Sequence, residues 1–197
     1  MHQPLARQRI SCTISNMMAV RRFCAVGILL GLGVTFASCG RTKVVRVGDV
    51  QVTPVTSVDV LRVVHDSGAK AVVVNMWATW CGPCREEFPG LVRVAQQYSG
   101  QGLKTILVSA DDTNDIAAVK KFLADEGVDF PAYIKAEKDQ AFIDGLDKRW
   151  TGALPATFIF DGSGKLRDFW EGEASFNVFQ QKVVEVLSNQ TKPTGGT

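Results

Sequence analysis

Ala71-Val72-Val73-Val74-Asn75-Met76-Trp77-Ala78-Thr79-Trp80-Cys81-Gly82-Pro83-Cys84 is the stretch on which the reading of this 197-residue chain turns. Its first seven residues are apolar apart from Asn75, the pattern of a strand covered on both faces in a parallel sheet. Two cysteines two residues apart follow directly. A helix beginning there would hold both sulfurs at its N-terminus, where unpaired backbone N–H groups and the macrodipole favour thiolate over thiol. The thiolate is the nucleophile of disulfide exchange, so the placement suits redox chemistry. Positions i and i+3 share a helix face, and Cys81 and Cys84 can therefore close a small ring with little backbone movement. Cys81, at the helix start, is expected to be the more exposed and more ionised sulfur and to attack first. Cys84, one turn in, is expected to be more buried and to expel the partner from a mixed disulfide. Pro83 suits a first helical turn, where the N–H it lacks has no partner anyway. Pro89, further in, is expected to kink the helix.

Working outward, Phe88, Leu91, Val92, Ala95 and Tyr98 recur at helical spacing until Gly100 and Gly102. Leu103 to Ser109 reads as a second buried strand. Asp111 to Asp115 reads as a polar loop, with Asp111 and Asp112 taken as loop charges. Ile116, Val119, Phe122 and Leu123 mark a helix ending at Gly127. Phe130 to Ile134 suggests a strand, and Ala141, Phe142 and Leu146 a short helix. Thr157 to Phe160 is a strand turned by Asp161-Gly162-Ser163-Gly164 into a hairpin with Lys165 to Trp170. Ser175 is placed to cap a last helix facing inward through Phe176, Phe179, Val183 and Leu187. Ahead of the cysteines, Val44–Val47 and Val50–Val55 read as edge strands. Ser57 reads as the N-cap of a short helix with Val60, Leu61 and Val64 inward and His65 at its surface. Strands alternating with helices, then a hairpin and a helix, define an α/β sandwich around a mixed sheet.

Composition narrows the function classes. At 46% hydrophobic residues, the chain can build a sizeable core. The formal charge of +2 is unevenly placed, because residues 1–38 hold Arg7, Arg9, Arg21 and Arg22 and no acid; the rest carries 18 bases against 20 acids. Such near-balance gives no support for nucleic-acid binding, which needs a basic patch. Arg21-Arg22, an uncharged run to Ser38 and small residues before Cys39 have the features of a signal peptide over 1–38. Phe23 follows the arginines without the spacing of a twin-arginine signal, and Met17 or Met18 reads as a more natural start than Met1. Phe36-Ala37-Ser38-Cys39 resembles a lipobox, which would make Cys39 the lipidated new N-terminus. An uncleaved anchor and ordinary cleavage near Ala37 are the alternatives. Cys12 and Cys24 would leave with the signal. The mature chain would then be a tether at 39–43, a domain at 44–188 and a disordered tail at 189–197, with Cys81 and Cys84 as its remaining dithiol. One pair is too few for a disulfide scaffold, which favours a working dithiol. A zinc half-site is the plain alternative for a lone C-x-x-C. Zinc wants four ligands, however, and His65 is the one histidine left, with no second cysteine pair.

Val74-Asn75-Met76-Trp77-Ala78-Thr79-Trp80-Cys81-Gly82-Pro83-Cys84-Arg85-Glu86-Glu87-Phe88-Pro89 resembles the active-site segment of the TlpA/ResA-like thioredoxin-fold thiol–disulfide oxidoreductases. Gly152-Ala153-Leu154-Pro155-Ala156-Thr157-Phe158-Ile159-Phe160-Asp161 resembles their cis-proline strand, and Asp112 to Leu146 fits the insertion that sets the group apart from plain thioredoxins. The resemblance runs from Val44 to Leu187 and implies a thioredoxin fold. It implies that Pro155 is cis and faces the disulfide, and that Leu154 offers backbone groups to an extended substrate. Trp80, Gly82 and Pro83 would complete the substrate-binding rim. Glu87 matches a carboxylate that tunes thiol protonation in the group; a solvated Glu in a charged run is the bland alternative, and the one adopted for Glu86. Asn75 stands where plain thioredoxins carry a buried acid, and leaves the deprotonation of Cys84 to Glu87 or water.

What the resemblance implies about function is a bacterial, extracytoplasmic, lipid-anchored reductant of client disulfides, needing no cofactor or metal. A membrane thiol transporter would recharge it, and the clients would be apocytochrome c or metal-site thiols. An oxidase or isomerase runs the same chemistry in another direction. A thiol peroxidase shares the fold but carries its reactive cysteine in a different loop. A copper-binding module of this fold needs wider cysteine spacing and a histidine near Pro155.

Overall fold

The computed structural model describes residues 44–189. The expected signal peptide with Cys12 and Cys24, the lipidated Cys39, the tether and the tail from residue 190 lie outside the described residues. Six strands form one mixed sheet: β1 (Val52–Val55), β2 (Ala71–Trp77), β3 (Leu103–Ser109), β4 (Ala132–Lys135), β5 (Ala156–Asp161) and β6 (Leu166–Glu171). Their order is β1-β4-β3-β2-β5-β6. The first four are parallel to their neighbours, while β5 runs antiparallel to both β2 and β6. Helices α1 (Ser57–His65), α2 (Gly82–Tyr98), α3 (Ile116–Asp125), α4 (Asp139–Leu146) and α5 (Phe176–Asn189) cover the sheet.

β2 is central and every one of its residues is buried, which is why it reads as an almost unbroken apolar run. Alternation along it divides the core in two. Ala71, Val73 and Trp77 pack with Phe88 and Leu91 of α2, Val119 and Leu123 of α3, and Phe179 and Val183 of α5. Val72, Val74 and Met76 pack on the other face with Val60 and Val64 of α1 and Phe142 and Leu146 of α4. Trp77 meets Phe88 edge-on at a centroid distance of 4.8 Å and Phe122 at 5.0 Å. Trp150 is core, its indole N–H donating to the Ala153 carbonyl at 2.9 Å. α1 and α4 approach closely at Gly145, where a Cβ would lie 2.2 Å from Ser57 Oγ.

Several expectations need correcting. Val44–Val47 is not a strand: Val47–Asp49 forms a 3-10 turn, because Asp49 folds back to accept from the Arg46 N–H at 3.2 Å. β1 is therefore the one N-terminal strand among the described residues, and it starts at Val52. The N-cap of α1 is Thr56, not Ser57; Thr56 Oγ1 accepts from the Asp59 N–H while Asp59 Oδ2 accepts from the Thr56 N–H. Ser57 is buried in the first turn instead. β4 starts two residues later than Phe130, and α5 runs to Asn189, one residue past the expected domain end. His65 is exposed beside Asp66, as a surface residue.

Candidate active site

The site is built where β2 ends. Cys81 is the N-cap of α2, with extended backbone (φ −86°, ψ 109°), and its Sγ accepts from the Cys84 N–H at 3.2 Å. That sulfur therefore occupies the place a serine or aspartate oxygen takes at other helix starts. Gly82 and Pro83 supply the exposed first turn. The two sulfurs are joined, with the Cα atoms 5.3 Å apart. Cys84 is fully buried and Cys81 6% exposed, the order expected from their places on the helix. Arg85 and Glu86 face solvent. Pro89 lies inside α2, which continues past it to Tyr98.

Glu87 does not face solvent. It is 4% exposed, one helical turn beyond Cys84 on the same face of α2. Its Oε1 accepts from Asn75 Nδ2 at 2.8 Å, and its Oε2 from the Ala174 N–H at 2.9 Å. Asn75 can reach it because odd-numbered residues of β2 point towards α2. The antiparallel register also sets Thr157 opposite Asn75, and Asn75 Nδ2 donates to Thr157 Oγ1 at 3.0 Å. Burial pushes the Glu87 carboxyl up to about 7, and Glu173 adds to the rise, against the bonds from Asn75 and Ala174 that favour the carboxylate. A buried carboxyl that titrates near neutrality, on the helix face of the Cys81–Cys84 disulfide, can exchange protons near neutral pH.

The Leu154–Pro155 bond is cis. Pro155 is buried, and its carbonyl accepts from the Gly172 N–H at 2.8 Å. Because Ala156 pairs with Met76, Pro155 lies at the same sheet end as the turn into Cys81. Leu154 and Trp80 line a common groove of about 250 Å³ with Ile143, Trp150 and the Lys135–Asp139 ion pair. Trp80 is 69% exposed, an unusual position for a large apolar side chain.

Asp111 is not the loop charge that its polar neighbourhood in the sequence suggests. Only 2% of it is exposed. Its oxygens accept from the Thr79 N–H at 2.9 Å, Thr79 Oγ1 at 2.5 Å and Ser109 Oγ at 2.5 Å. Ser109, two residues back, is its one local donor; the other two bonds come from Thr79, 32 positions away in sequence. Among the described residues no cluster of three or more His, Cys, Asp or Glu side chains is placed to hold a metal ion. No helix among them is long and apolar enough to cross a membrane.

A mixed sheet with a disulfide at the start of the helix after its central strand, and a cis-proline at the adjoining strand end, defines the thioredoxin-like class. The chain belongs to the AhpC/TSA family, whose family model matches residues 50–169. Its sequence is similar to the thiol-disulfide oxidoreductase ResA of Bacillus thuringiensis (strain Al Hakam), with 35% identity over 55% of this chain and 58% of that one. It is also similar to the thiol:disulfide interchange protein HelX of Rhodobacter capsulatus, 34% identical over 60% of this chain and 62% of that one. The chain thus matches about three fifths of the length of these curated relatives. Its fold is similar to the crystal structure of a thiol:disulfide interchange protein of the thioredoxin family from Chlorobium tepidum TLS. There the TM-score is 0.52 and the identity 26%, covering 60% of this chain and 80% of that one.

Proposed function

We propose that this chain is an extracytoplasmic thiol–disulfide oxidoreductase that reduces disulfides of client proteins. The observation that carries the reading is the position of Cys81 as the N-cap of α2, its sulfur facing the open backbone N–H groups of the first turn. Negative charge on that sulfur is stabilised by the helix terminus before any client arrives.

In the reduced protein the Cys81 thiolate attacks one sulfur of a client disulfide. The Cys81–client bond forms, the client S–S bond breaks, and the first client sulfur leaves as a thiolate. Cys84 then loses its proton, with Glu87 as the acceptor directly or through water, and attacks Cys81 Sγ. The mixed disulfide breaks, the second client sulfur leaves, and the Cys81–Cys84 bond takes up the oxidation. Two electrons have passed from the protein dithiol to the client. A further dithiol must restore the reduced state, and a membrane thiol transporter is the donor implied by the resemblance. Trp80, Gly82, Pro83 and Leu154 would seat the client beside cis-Pro155, and a lipid on Cys39 would keep the domain near its donor.

The reductive direction rests on the Gly82-Pro83 spacer, which resembles that of reducing thioredoxins, and on what the resemblance to the exported TlpA/ResA-like group implies. A reduction potential near about −270 mV fits it, and one near about −120 mV would make the protein an oxidant. The decisive experiment is Cys84→Ser in cells. Client adducts should accumulate on Cys81 and dissolve with dithiothreitol; their absence under acid trapping defeats the proposal.

A further inference from the structure

Ala78 and Cys81, at the two ends of the turn into α2, pack in the core, while Thr79 between them is half-buried. Trp80 is mostly in water, and within the turn one main-chain bond, Cys81 N–H to the Ala78 carbonyl at 3.2 Å, closes it. The hydrogen bonds that tie its polar groups to the sheet come from the end of β3. The Ala110 N–H donates to the Trp77 carbonyl at 2.7 Å, and one residue further Asp111 takes both the N–H and the hydroxyl of Thr79. Ser109 Oγ donates to Asp111 Oδ2 and in turn accepts from the Asp111 N–H at 3.0 Å, fixing the carboxylate's orientation. Burying a carboxylate is costly unless hydrogen bonds replace water, and here three donors do so. Two of the three come from Thr79, two residues ahead of the N-cap sulfur.

We infer that Asp111 is a positioning residue of the dithiol site: by gripping Thr79 at two atoms it holds Cys81 in the N-cap position that keeps its thiolate stable. The inference rests on the proposed function and adds to it a residue outside the cysteine helix and the cis-proline loop. The physical reason is geometric. An N-cap interaction depends on the capping atom lying over the first-turn N–H groups, and it is lost when the residue swings away. Asn can replace Asp in this role, since its carbonyl oxygen accepts from the Thr79 N–H while its amide faces a hydroxyl that can turn to accept. Ala cannot.

The test is the rate of Cys81 alkylation by iodoacetamide against pH, in the reduced full chain. It is measured for wild type, Asp111→Ala, Asp111→Asn and Thr79→Val, with Glu87 left in place throughout. The expected result is that Asp111→Ala moves the Cys81 profile towards that of a free thiol near 8.5, slowing alkylation at about pH 6 by about threefold or more. Asp111→Asn should recover most of that loss. Thr79→Val, which keeps the backbone N–H but loses the hydroxyl, should fall between them. If Asp111→Ala lowers thermal stability but leaves the pH profile unmoved, Asp111 is structural only and the inference is overturned. Should Asp111→Ala not fold, an unmoved profile in Thr79→Val overturns it equally. A wild-type chain that alkylates as expected yet cannot reduce a protein disulfide defeats the proposed function and leaves this comparison intact.

Discussion

Asn75 donates to Glu87 across the interface of the central strand and the cysteine helix at 2.8 Å, both side chains buried. The same amide nitrogen reaches Thr157 on the neighbouring strand, so one neutral side chain ties the carboxylate of α2 to β5. Asn75 carries no proton it can give up. Of the two, Glu87 is the group that titrates, its burial pushing it up to about 7.

From that follows a kinetic prediction. On the proposed mechanism Glu87→Gln removes the acceptor for the Cys84 proton, so the mixed disulfide should resolve about tenfold more slowly or worse, at the low end for general-base loss. The dependence of the resolving rate on pH around neutrality should flatten as well. Rapid-quench measurement of the adduct lifetime between Cys81 and a model peptide checks this. An unchanged lifetime with an unchanged pH profile leaves water as the acceptor.

Stability should respond to the same group. The folded carboxyl titrates at about 7 against 4.5 when unperturbed, so the folded state holds its proton more tightly. Its contribution is fully present below about 4.5 and is lost as pH rises through about 7, with an upper size on the order of 3 kcal/mol. Urea midpoints of the oxidised protein should therefore fall across that window. In Glu87→Gln the corresponding fall should be missing; an equal fall in both proteins assigns the effect to other groups.

Asp161 works in the opposite sense. Burial raises its pKa, but bonds from Ser163, Arg167 and Lys165 outweigh that and hold it at about 2. Its contribution is present above the ordinary carboxylate range and disappears as pH falls through about 2. Asp161→Asn should lose stability at neutral pH and show a weaker further loss on acidification. Circular dichroism through an acid titration reads this directly.

The proposed role of Trp80 is in recognition and not in the chemistry. Because it is 69% exposed, Trp80→Ala should change unfolding stability by no more than about 0.5 kcal/mol. It should raise KM for a disulfide-containing protein while leaving reduction of a small aromatic disulfide nearly as fast. Equal losses on both substrates would move Trp80 from client binding to support of the dithiol.

Two glycines make a structural control. A methyl at Gly145 would sit 2.2 Å from Ser57 Oγ and 2.9 Å from its Cβ, so Gly145→Ala should cost about 1–3 kcal/mol through forced separation of α1 and α4. A methyl at Gly82 meets nothing within 4 Å, and Gly82→Ala should fold as stably as wild type. Thermal melts of the pair decide it.

Much of this was legible in the linear chain because it depends on near neighbours. Ala71–Trp77 and Leu103–Ser109 announce themselves as buried strands by unbroken apolar character. The cysteine spacing and Pro83 mark a helix start, and Gly102 and Gly127 take positive φ at the turns that follow α2 and α3. The misreadings cluster at edges, where strand and turn preferences are nearly balanced. Val44–Val47 is β-prone by composition, yet a single carboxylate at Asp49 turns it. Ser57 and Thr56 are equally good caps by type, and the Asp59 carboxylate selects Thr56.

By itself the sequence determined a dithiol at a helix mouth behind a buried strand, since strand period, cap and spacer are local properties of consecutive residues. Only the tertiary structure decided which carboxylates matter. Glu86 and Glu87 are chemically identical neighbours, as are Asp111 and Asp112, and in each pair one is buried and one is solvated. The difference comes from Ser109 beside Asp111 in the chain, and from Asn75, Ala174 and Thr79, which reach these carboxylates only through the fold. A buried carboxylate is held by the donors that replace its lost water, and the donors Asn75, Ala174 and Thr79 are distant along the chain and adjacent only in the fold.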